Sequence, residues 1–140
     1  MMNIHTTCIA FNGRGVLIFG APGSGKSDLA LRCIANKNAI LVADDRTNID
    51  IREGRIIASC PANIKGMLEV RGVGIHKMHS LEFCEIKLAV ELVKSYKDME
   101  RLPEPAFYEI GGIKIPLLKL YPFEVSAPDK LVIKLDSAID

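Results

Sequence analysis

The sequence lacks several features that mark whole classes of protein. None of its 140 residues is a tryptophan, and aromatic residues make up only 6% of it. Its four cysteines, Cys8, Cys33, Cys60 and Cys84, form no C-x-x-C pair, so neither a zinc site nor a disulfide framework is indicated. No apolar run approaches the roughly 18 residues of a membrane-spanning helix, and the N-terminus does not resemble a secretory signal. We therefore expect reduced thiols and a cytoplasmic protein.

The chain also lacks a strong charge of either sign. Its formal net charge is +1 and 25% of its residues are charged, so no overall field attracts it to nucleic acid or to an anionic membrane. We expect neither of these among its partners. With 140 residues the chain has the length of one domain, and it contains no linker, internal repeat or low-complexity tract. We predict a single domain spanning residues 1–140.

Short apolar runs separated by turn residues predict a fold rich in strands. The dipeptides Asn12-Gly13, Glu53-Gly54 and Gly111-Gly112 each lie between two such runs and predict tight hairpins. Residues 40–43 are apolar on both faces, which is typical of an interior strand. Residues 86–92 alternate between apolar and polar side chains, as in a half-buried strand.

Only two segments have the pattern of a helix. Residues 27–35 carry an apolar stripe at helical spacing. Near the end, Ser126 and Asp129 have capping-box spacing with an early proline, which predicts a last helix through Leu131, Leu135 and Ala138. The sequence therefore predicts an α/β fold with a strand-rich mixed sheet and two helices, one after the glycine loop and one at the C-terminus.

The glycine loop GAPGSGKS lies between an apolar strand and the first predicted helix. Its G-x-x-x-x-G-K-S spacing is that of a phosphate-binding loop, in which glycines let backbone N–H groups converge on one anion and the helix dipole adds positive potential. The lysine can neutralise the terminal phosphates of ATP, and the serine hydroxyl can ligate Mg²⁺. The predicted nucleotide site consists of Gly20, Ala21, Pro22, Gly23, Ser24, Gly25, Lys26 and Ser27.

A dinucleotide site is the obvious rival to this interpretation. Gly23-Ser24-Gly25 supplies a G-x-G motif, and an acidic residue follows about 20 residues later. The third small residue of that fingerprint, however, would fall at Asp28. The spacing therefore favours ATP over a nicotinamide dinucleotide.

Two further stretches carry charge suited to phosphoryl transfer. Asp44 and Asp45 end the apolar strand, and adjacent strand residues point to opposite faces, so one carboxylate can accept the proton of an attacking hydroxyl while the other serves the metal. In the second stretch, Glu69 can complete the metal's ligands and Arg71 can offset charge in the transition state. Without the glycine loop, each stretch would be interpreted as a charged turn.

These motifs together resemble the catalytic domain of HPr kinase/phosphorylase, which phosphorylates and dephosphorylates a serine of the phosphocarrier protein HPr. The resemblance rests on His5, the glycine loop, the L-V-A-D-D run of residues 41–45 and the L-E-V-R-G-V-G-I run of residues 68–75. The last run is close to the family signature. The resemblance covers most of the chain and weakens after about Leu102.

The resemblance implies a role for several residues. The family's proton acceptor falls on Asp44, and other active-site positions fall on Lys26 and His5. Its magnesium ligands fall on Ser27 and Glu69, with ATP as the phosphoryl donor and HPr as the partner. The stretch around Arg101 resembles the one that bears a further catalytic arginine. The implied fold is the phosphoenolpyruvate-carboxykinase-like type of phosphate-loop domain, assembled as a homo-oligomer, a hexamer.

The sequence departs from the family pattern in two places. Family members usually carry an N-terminal domain, so the resemblance implies the short form that consists of the catalytic domain. They also carry a loop with two arginines that is important for dephosphorylation, where residues 115–122 of this chain read I-P-L-L-K-L-Y-P. Since both arginines are missing, kinase activity is better supported than phosphorolysis of phosphoserine.

Two alternatives remain open at this point. One is a small-molecule kinase, although those enzymes tend to be longer and more helical than this chain is predicted to be. The other is a nucleotide-binding regulatory protein that does not turn over its ligand. The regulatory protein differs from either kinase in what Asp44 does, because only an enzyme needs its carboxylate for phosphoryl transfer.

Overall fold

Residues 1–137 are described by a computed structural model, and they form eleven strands and two α-helices. The strands are β1 (Met2–Ile4), β2 (Thr6–Phe11), β3 (Arg14–Phe19), β4 (Ile40–Ala43), β5 (Thr47–Arg52), β6 (Arg55–Ser59), β7 (Met67–Val70), β8 (Gly74–Lys77), β9 (Phe83–Leu92), β10 (Phe107–Ile110) and β11 (Ile113–Leu120). The helices are α1 (Lys26–Lys37) and α2 (Ala127–Ser137). This confirms the predicted strand-rich fold with two helices.

The first hairpin brings the chain to the glycine loop. β2 and β3 pair in antiparallel fashion along their full length, as the Asn12-Gly13 dipeptide predicts. Asn12 has a φ of 52° and Gly13 a φ of 81°, so both turn residues adopt the left-handed conformation that suits the twist of the flanking strands. Because β3 ends at Phe19, the hairpin fixes the position at which the loop begins.

A nine-stranded mixed sheet forms the scaffold, in the order β1-β5-β6-β9-β3-β2-β4, with β11 paired to β9 and β10 paired to β11. β9 pairs in parallel with β3 along one edge. Along its other edge, the N-terminal part of β9 pairs antiparallel with β6 and its C-terminal part pairs parallel with β11. β7 and β8 form a separate two-stranded sheet. The strand that leads to the glycine loop therefore lies inside the sheet.

β4 coincides with the predicted strand, but its predicted interior position was wrong. It is the last strand in the sheet order, next to β2. Leu41, Val42 and Ala43 are nevertheless fully buried, and the chain at Ser80 and Leu81 covers the outer edge, where the N–H of Leu81 donates to the Leu41 carbonyl over 2.9 Å. The apolar pattern indicates that both faces of the strand are buried. A covered edge strand and an interior strand both have this pattern.

Alternate residues of the central strands belong to two separate hydrophobic clusters, one on each face of the sheet. Ile18 of β3 and Val90 of β9 join the cluster that contains Leu29 and Cys33 of α1 and Leu131 of α2. The other cluster gathers side chains from eight strands, among them Cys8, Leu17, Val42, Ile49, Ala58, Ala89, Ile110 and Ile115. Both helices therefore pack on the same face.

The C-terminal helix α2 packs against α1 and forms an ion pair with it. Asp129, which the capping-box spacing assigns to the helix start, binds the ammonium group of Lys37 on α1. Ala138, which the sequence assigns to this helix, lies outside the described residues. Neither α1 nor α2, nor any other helix within residues 1–137, has the length and hydropathy required to cross a bilayer.

All four cysteines carry free thiols, as expected from their spacing. Cys8, Cys33 and Cys84 are buried, and Cys60 is half-buried. Burial raises the pKa of Cys33 to about 12, so this residue stays protonated at neutral pH. It acts as a small core side chain against the sheet.

Replacing Leu131 by alanine tests the contribution of α2 to the core. Leu131 is fully buried, whereas Ile133 on the same helix is 69% exposed. We expect Leu131→Ala to lower the free energy of unfolding by about 2–5 kcal/mol through lost burial and a cavity, and Ile133→Ala to change it by less than about 0.5 kcal/mol. Urea denaturation at neutral pH measures both. Equal losses in the two variants would contradict this packing of α2.

Candidate active site

The glycine loop joins the end of β3 to the start of α1. Gly23 and Gly25 have φ values of 77° and 104°, in a region that residues with a Cβ rarely occupy. Gly20 is needed for space, because the Ser24 hydroxyl lies where a Cβ on Gly20 would be. The loop thereby turns tightly into α1, whose first N–H groups have no partner within the helix. Such a helix start attracts an anion.

Lys26 is buried against this loop. Its ammonium group donates to the carbonyl of Gly20 over 2.7 Å and to that of Ala21 over 3.3 Å. These bonds hold the positive charge at the loop's own backbone, next to the free N–H groups of α1. The loop, the helix dipole and this ammonium therefore create positive potential at one place.

Asp44 follows directly after β4 and is only 8% exposed. One carboxylate oxygen, Oδ1, accepts hydrogen bonds from the hydroxyls of Ser27, over 2.7 Å, and Thr7, over 3.0 Å. The other oxygen, Oδ2, accepts the backbone N–H of Glu69 over 3.3 Å. A buried carboxylate requires such donors. These three bonds place Asp44 between the glycine loop, the first hairpin and the β7–β8 sheet.

Asp45 turns away from this buried cluster. It is exposed and has a φ of 67°, and its backbone N–H points to the Thr7 hydroxyl at 3.4 Å. The neighbouring Arg46 donates to the side chain of Asn3 over 3.0 Å. The two aspartates thus differ in burial. Both lie beyond the end of β4 at Ala43, so the alternation of faces within a strand, from which their separate roles were predicted, does not apply to them.

A cavity of about 680 Å³ lies over the glycine loop, within the size range of small-molecule sites. It brings together most of the charged residues that the sequence analysis selected. Its wall comprises Pro22, Gly23, Gly25, Lys26, Ser27, Asp28, Leu31, Asp44, Asp45, Glu69, Val70, Arg71 and Phe123. Gly20, Ala21 and Ser24 form the part of the loop behind this wall.

Two of the predicted catalytic residues also do not line the cavity. His5 is exposed in the short connection between β1 and β2. Arg101 is exposed in the segment that follows the 3-10 turn Tyr96–Asp98. Their roles remain predictions that the geometry of this chain alone does not support.

Sequence reasoning missed two residues of the site. Thr7 donates to Asp44 from a position 37 residues away in sequence, and Phe123 reaches the cavity from the segment between β11 and α2. Neither belongs to a motif. The one available signal was that Thr7 lies on the first strand of the predicted hairpin before the glycine loop. This position does not identify its hydrogen-bond partner.

The Thr7 hydroxyl can be tested against its neighbour Thr6, which is equally buried but bonds to Thr47 instead of a charge. We expect Thr7→Val to lower the free energy of unfolding by about 1.5–3 kcal/mol, because it removes a hydrogen bond to a charged group, and Thr6→Val by about 0.5–1.5 kcal/mol. Urea denaturation at neutral pH gives both values. If Thr6→Val lowered the free energy of unfolding as much as Thr7→Val, the bond from Thr7 to Asp44 would contribute no more than an ordinary buried hydrogen bond.

Comparisons with known proteins identify the family of the chain. The family model "HPr Serine kinase C-terminal domain" matches residues 1–134. The HPr kinase/phosphorylase of Caldicellulosiruptor bescii is 34% identical, over 81% of this chain and 40% of the relative, and that of Acidovorax sp. strain JS42 is 33% identical, over 97% and 45%.

A solved structure, the Hpr(Ser) kinase/phosphatase from Coxiella burnetii, superimposes with a TM-score of 0.82 and 26% identity, covering 98% of this chain and 95% of that one. The chain spans less than half the length of the curated relatives it matches. The resemblance predicted from the sequence is thus confirmed. The chain belongs to the HPr Serine kinase C-terminal domain family.

Proposed function

We propose that this domain is a protein serine kinase that transfers the γ-phosphoryl group of ATP to a serine of HPr, on a phosphate-loop fold of the phosphoenolpyruvate-carboxykinase-like type. The observation that carries the proposal is the position of Asp44, a buried carboxylate hydrogen-bonded to the serine of the glycine loop. The names of its relatives, HPr kinase/phosphorylase, support the acceptor.

In this proposal the glycine loop and Lys26 bind the triphosphate. The free N–H groups at the start of α1 point to the anion, and Lys26 adds a charge-assisted hydrogen bond. Its present partners, the Gly20 and Ala21 carbonyls, hold the ammonium at the loop, so little rearrangement is needed. Arg71, which lines the same cavity, offsets the charge that develops on the transferred group.

Asp44 acts as the proton acceptor for the incoming serine hydroxyl. A serine ionises far above neutral pH, so a carboxylate within hydrogen-bond reach lowers the barrier to attack. Asp44 lines the cavity and lies next to Ser27, which supports a role beside the phosphates. Its hydrogen bonds to Thr7 and Glu69 hold it in this orientation.

The residues at the cavity fit a magnesium ion. Ser27, Asp45 and Glu69 offer the hard oxygen ligands that Mg²⁺ prefers. No three acidic, histidine or cysteine side chains converge on one point within residues 1–137, and a metal bound mainly by phosphate oxygens and water needs no such cage. The ion would neutralise charge on the β- and γ-phosphates. Ser27 donates its hydrogen to Asp44 and keeps its lone pairs available to a metal.

The β7–β8 hairpin is the surface that meets HPr in this proposal. Val73 and Ile75 are 68% and 65% exposed although both are apolar, and they follow Glu69 and Arg71 at the cavity. His5 and Arg101 retain the active-site roles that the family resemblance implies. We also propose, from that resemblance, a cytoplasmic homo-oligomer, a hexamer.

Phosphorolysis of phosphoserine is a weaker activity in this proposal. Where the family carries an arginine-bearing loop, this chain has β11, which pairs in parallel with β9 through Leu117 to Leu120. Leu120 is fully buried, so this stretch serves the core. The residues proposed above for ATP binding and proton transfer in the forward reaction, Lys26 and Asp44, both line the cavity.

Replacing Asp44 by asparagine tests the proposal. We expect Asp44→Asn to lower the rate of HPr phosphorylation by about a hundredfold or more, because the proton acceptor is lost, while ATP affinity is retained. Labelled ATP and purified HPr measure the rate, mass spectrometry maps the labelled residue, and calorimetric titration measures affinity. Lys26→Ala should abolish ATP binding.

Glu53→Gln provides a matched control, since it also converts a carboxylate to an amide, in the exposed β5–β6 turn. It should leave rate and affinity unchanged. Label on a histidine of HPr, or an unchanged rate in Asp44→Asn, would refute the serine-kinase proposal. Transfer to a small molecule in place of HPr would favour the small-molecule kinase.

A further inference from the structure

An exposed aromatic ring forms part of the cavity wall and has no role in the chemistry described above. Phe123 lies between β11 and α2 and is 58% exposed. It lines the same cavity as Lys26 and Asp44. A Cβ built on Gly25 would lie 3.0 Å from its Cζ, so the ring lies directly against the glycine loop.

The segment that carries this ring is held to α1 on both sides of it. The Arg32 guanidinium donates to the carbonyl of Pro122, and to that of Glu124 over 3.5 Å. Arg32 is itself oriented by Asp28, one turn earlier on the helix, over 3.1 Å. The ring is therefore fixed relative to the helix whose first residues are Lys26 and Ser27.

A second aromatic side chain packs against the ring, in an arrangement in which at least one face of each ring is not covered by the other. Tyr121 and Phe123 pack in a T-shaped arrangement, with ring centroids 5.8 Å apart and an interplanar angle of 78°. An edge contact of this kind is favourable and leaves the faces of one ring free. Since Phe123 is more than half exposed, a flat ligand can reach it from the cavity.

We propose that Phe123 stacks on the base of the bound nucleotide. This inference rests on the proposed function, since it assumes a triphosphate on the glycine loop. The charged groups of the cavity surround the phosphate end, whereas Phe123, Leu31 and Pro22 form an apolar part of its wall. Stacking on an aromatic ring tolerates any base, because every base has a π-face. The domain should therefore accept GTP as well as ATP.

Comparing nucleotides with inorganic tripolyphosphate separates the base from the phosphates. We expect Phe123→Ala to weaken Mg-ATP and Mg-GTP binding about tenfold or more, and to change tripolyphosphate binding by less than about twofold. Phe107→Ala is the matched control, because Phe107 is also 58% exposed but lies on β10, outside the cavity wall. It should change neither affinity. Calorimetric titration measures all of these.

A tryptophan at the same position gives a direct signal. The chain has no tryptophan, so Phe123→Trp introduces a single indole that retains the stacking surface. We expect it to bind ATP within about threefold of the unsubstituted protein, and its fluorescence to be quenched by ATP and GTP but not by tripolyphosphate. Phe107→Trp should show no quenching with any of the three.

The outcomes distinguish this inference from the proposed function. If Phe123→Ala weakened the binding of ATP and of tripolyphosphate equally, the ring would only support the loop and the inference would be overturned. An unchanged affinity of Phe123→Ala for ATP would overturn it as well. In both cases the unsubstituted protein would still bind ATP, and that binding would still require Lys26, so the proposed function would stand. If the unsubstituted protein binds neither ATP nor tripolyphosphate, the proposed function fails and the inference fails with it.

Discussion

The hydrogen bonds to Asp44 are the constraint on which the site depends. Its three donors come from β2, from the first turn of α1 and from β7. A carboxylate that is 8% exposed needs these donors to replace the hydrogen bonds to water that it loses on burial. The end of β4, the glycine loop and the small β7–β8 sheet therefore fix one another's positions. Moving any one of these elements would remove at least one hydrogen bond from the buried carboxylate.

Local features of the fold could be predicted because a few neighbouring residues determine them. The Asn12-Gly13 turn is an example, since its two positive φ values suit asparagine and glycine and select the hairpin. The glycine loop is another, since Gly23 and Gly25 adopt left-handed conformations that side chains rarely allow. The composition of the candidate site followed from such motifs, and the cavity contains six of the charged or hydroxyl residues they indicated, Lys26, Ser27, Asp44, Asp45, Glu69 and Arg71.

Contacts between distant segments could not be predicted in this way. The Thr7–Asp44 bond spans 37 residues, and the bond from Arg32 to Pro122 spans 90. No local pattern encodes such pairings, because each depends on how the sheet assembles. The predicted interior position of β4 was wrong for the same reason. An apolar run indicates that both faces of a strand are buried. It does not indicate whether another strand covers the edge or, as here, the chain at Ser80 and Leu81.

Burial divides the site into two kinds of residue. Asp44 and Lys26 are buried and hydrogen-bonded to other elements, so a substitution there disturbs the fold as well as the chemistry. Phe123, Val73 and Ile75 are each more than half exposed and contribute little to the core. In the proposed mechanism, stability therefore constrains the residues assigned to phosphoryl transfer, whereas only binding constrains those proposed to meet the base and the acceptor. Because the two sets differ in this way, the specificity of such a domain can change while its transfer chemistry is conserved.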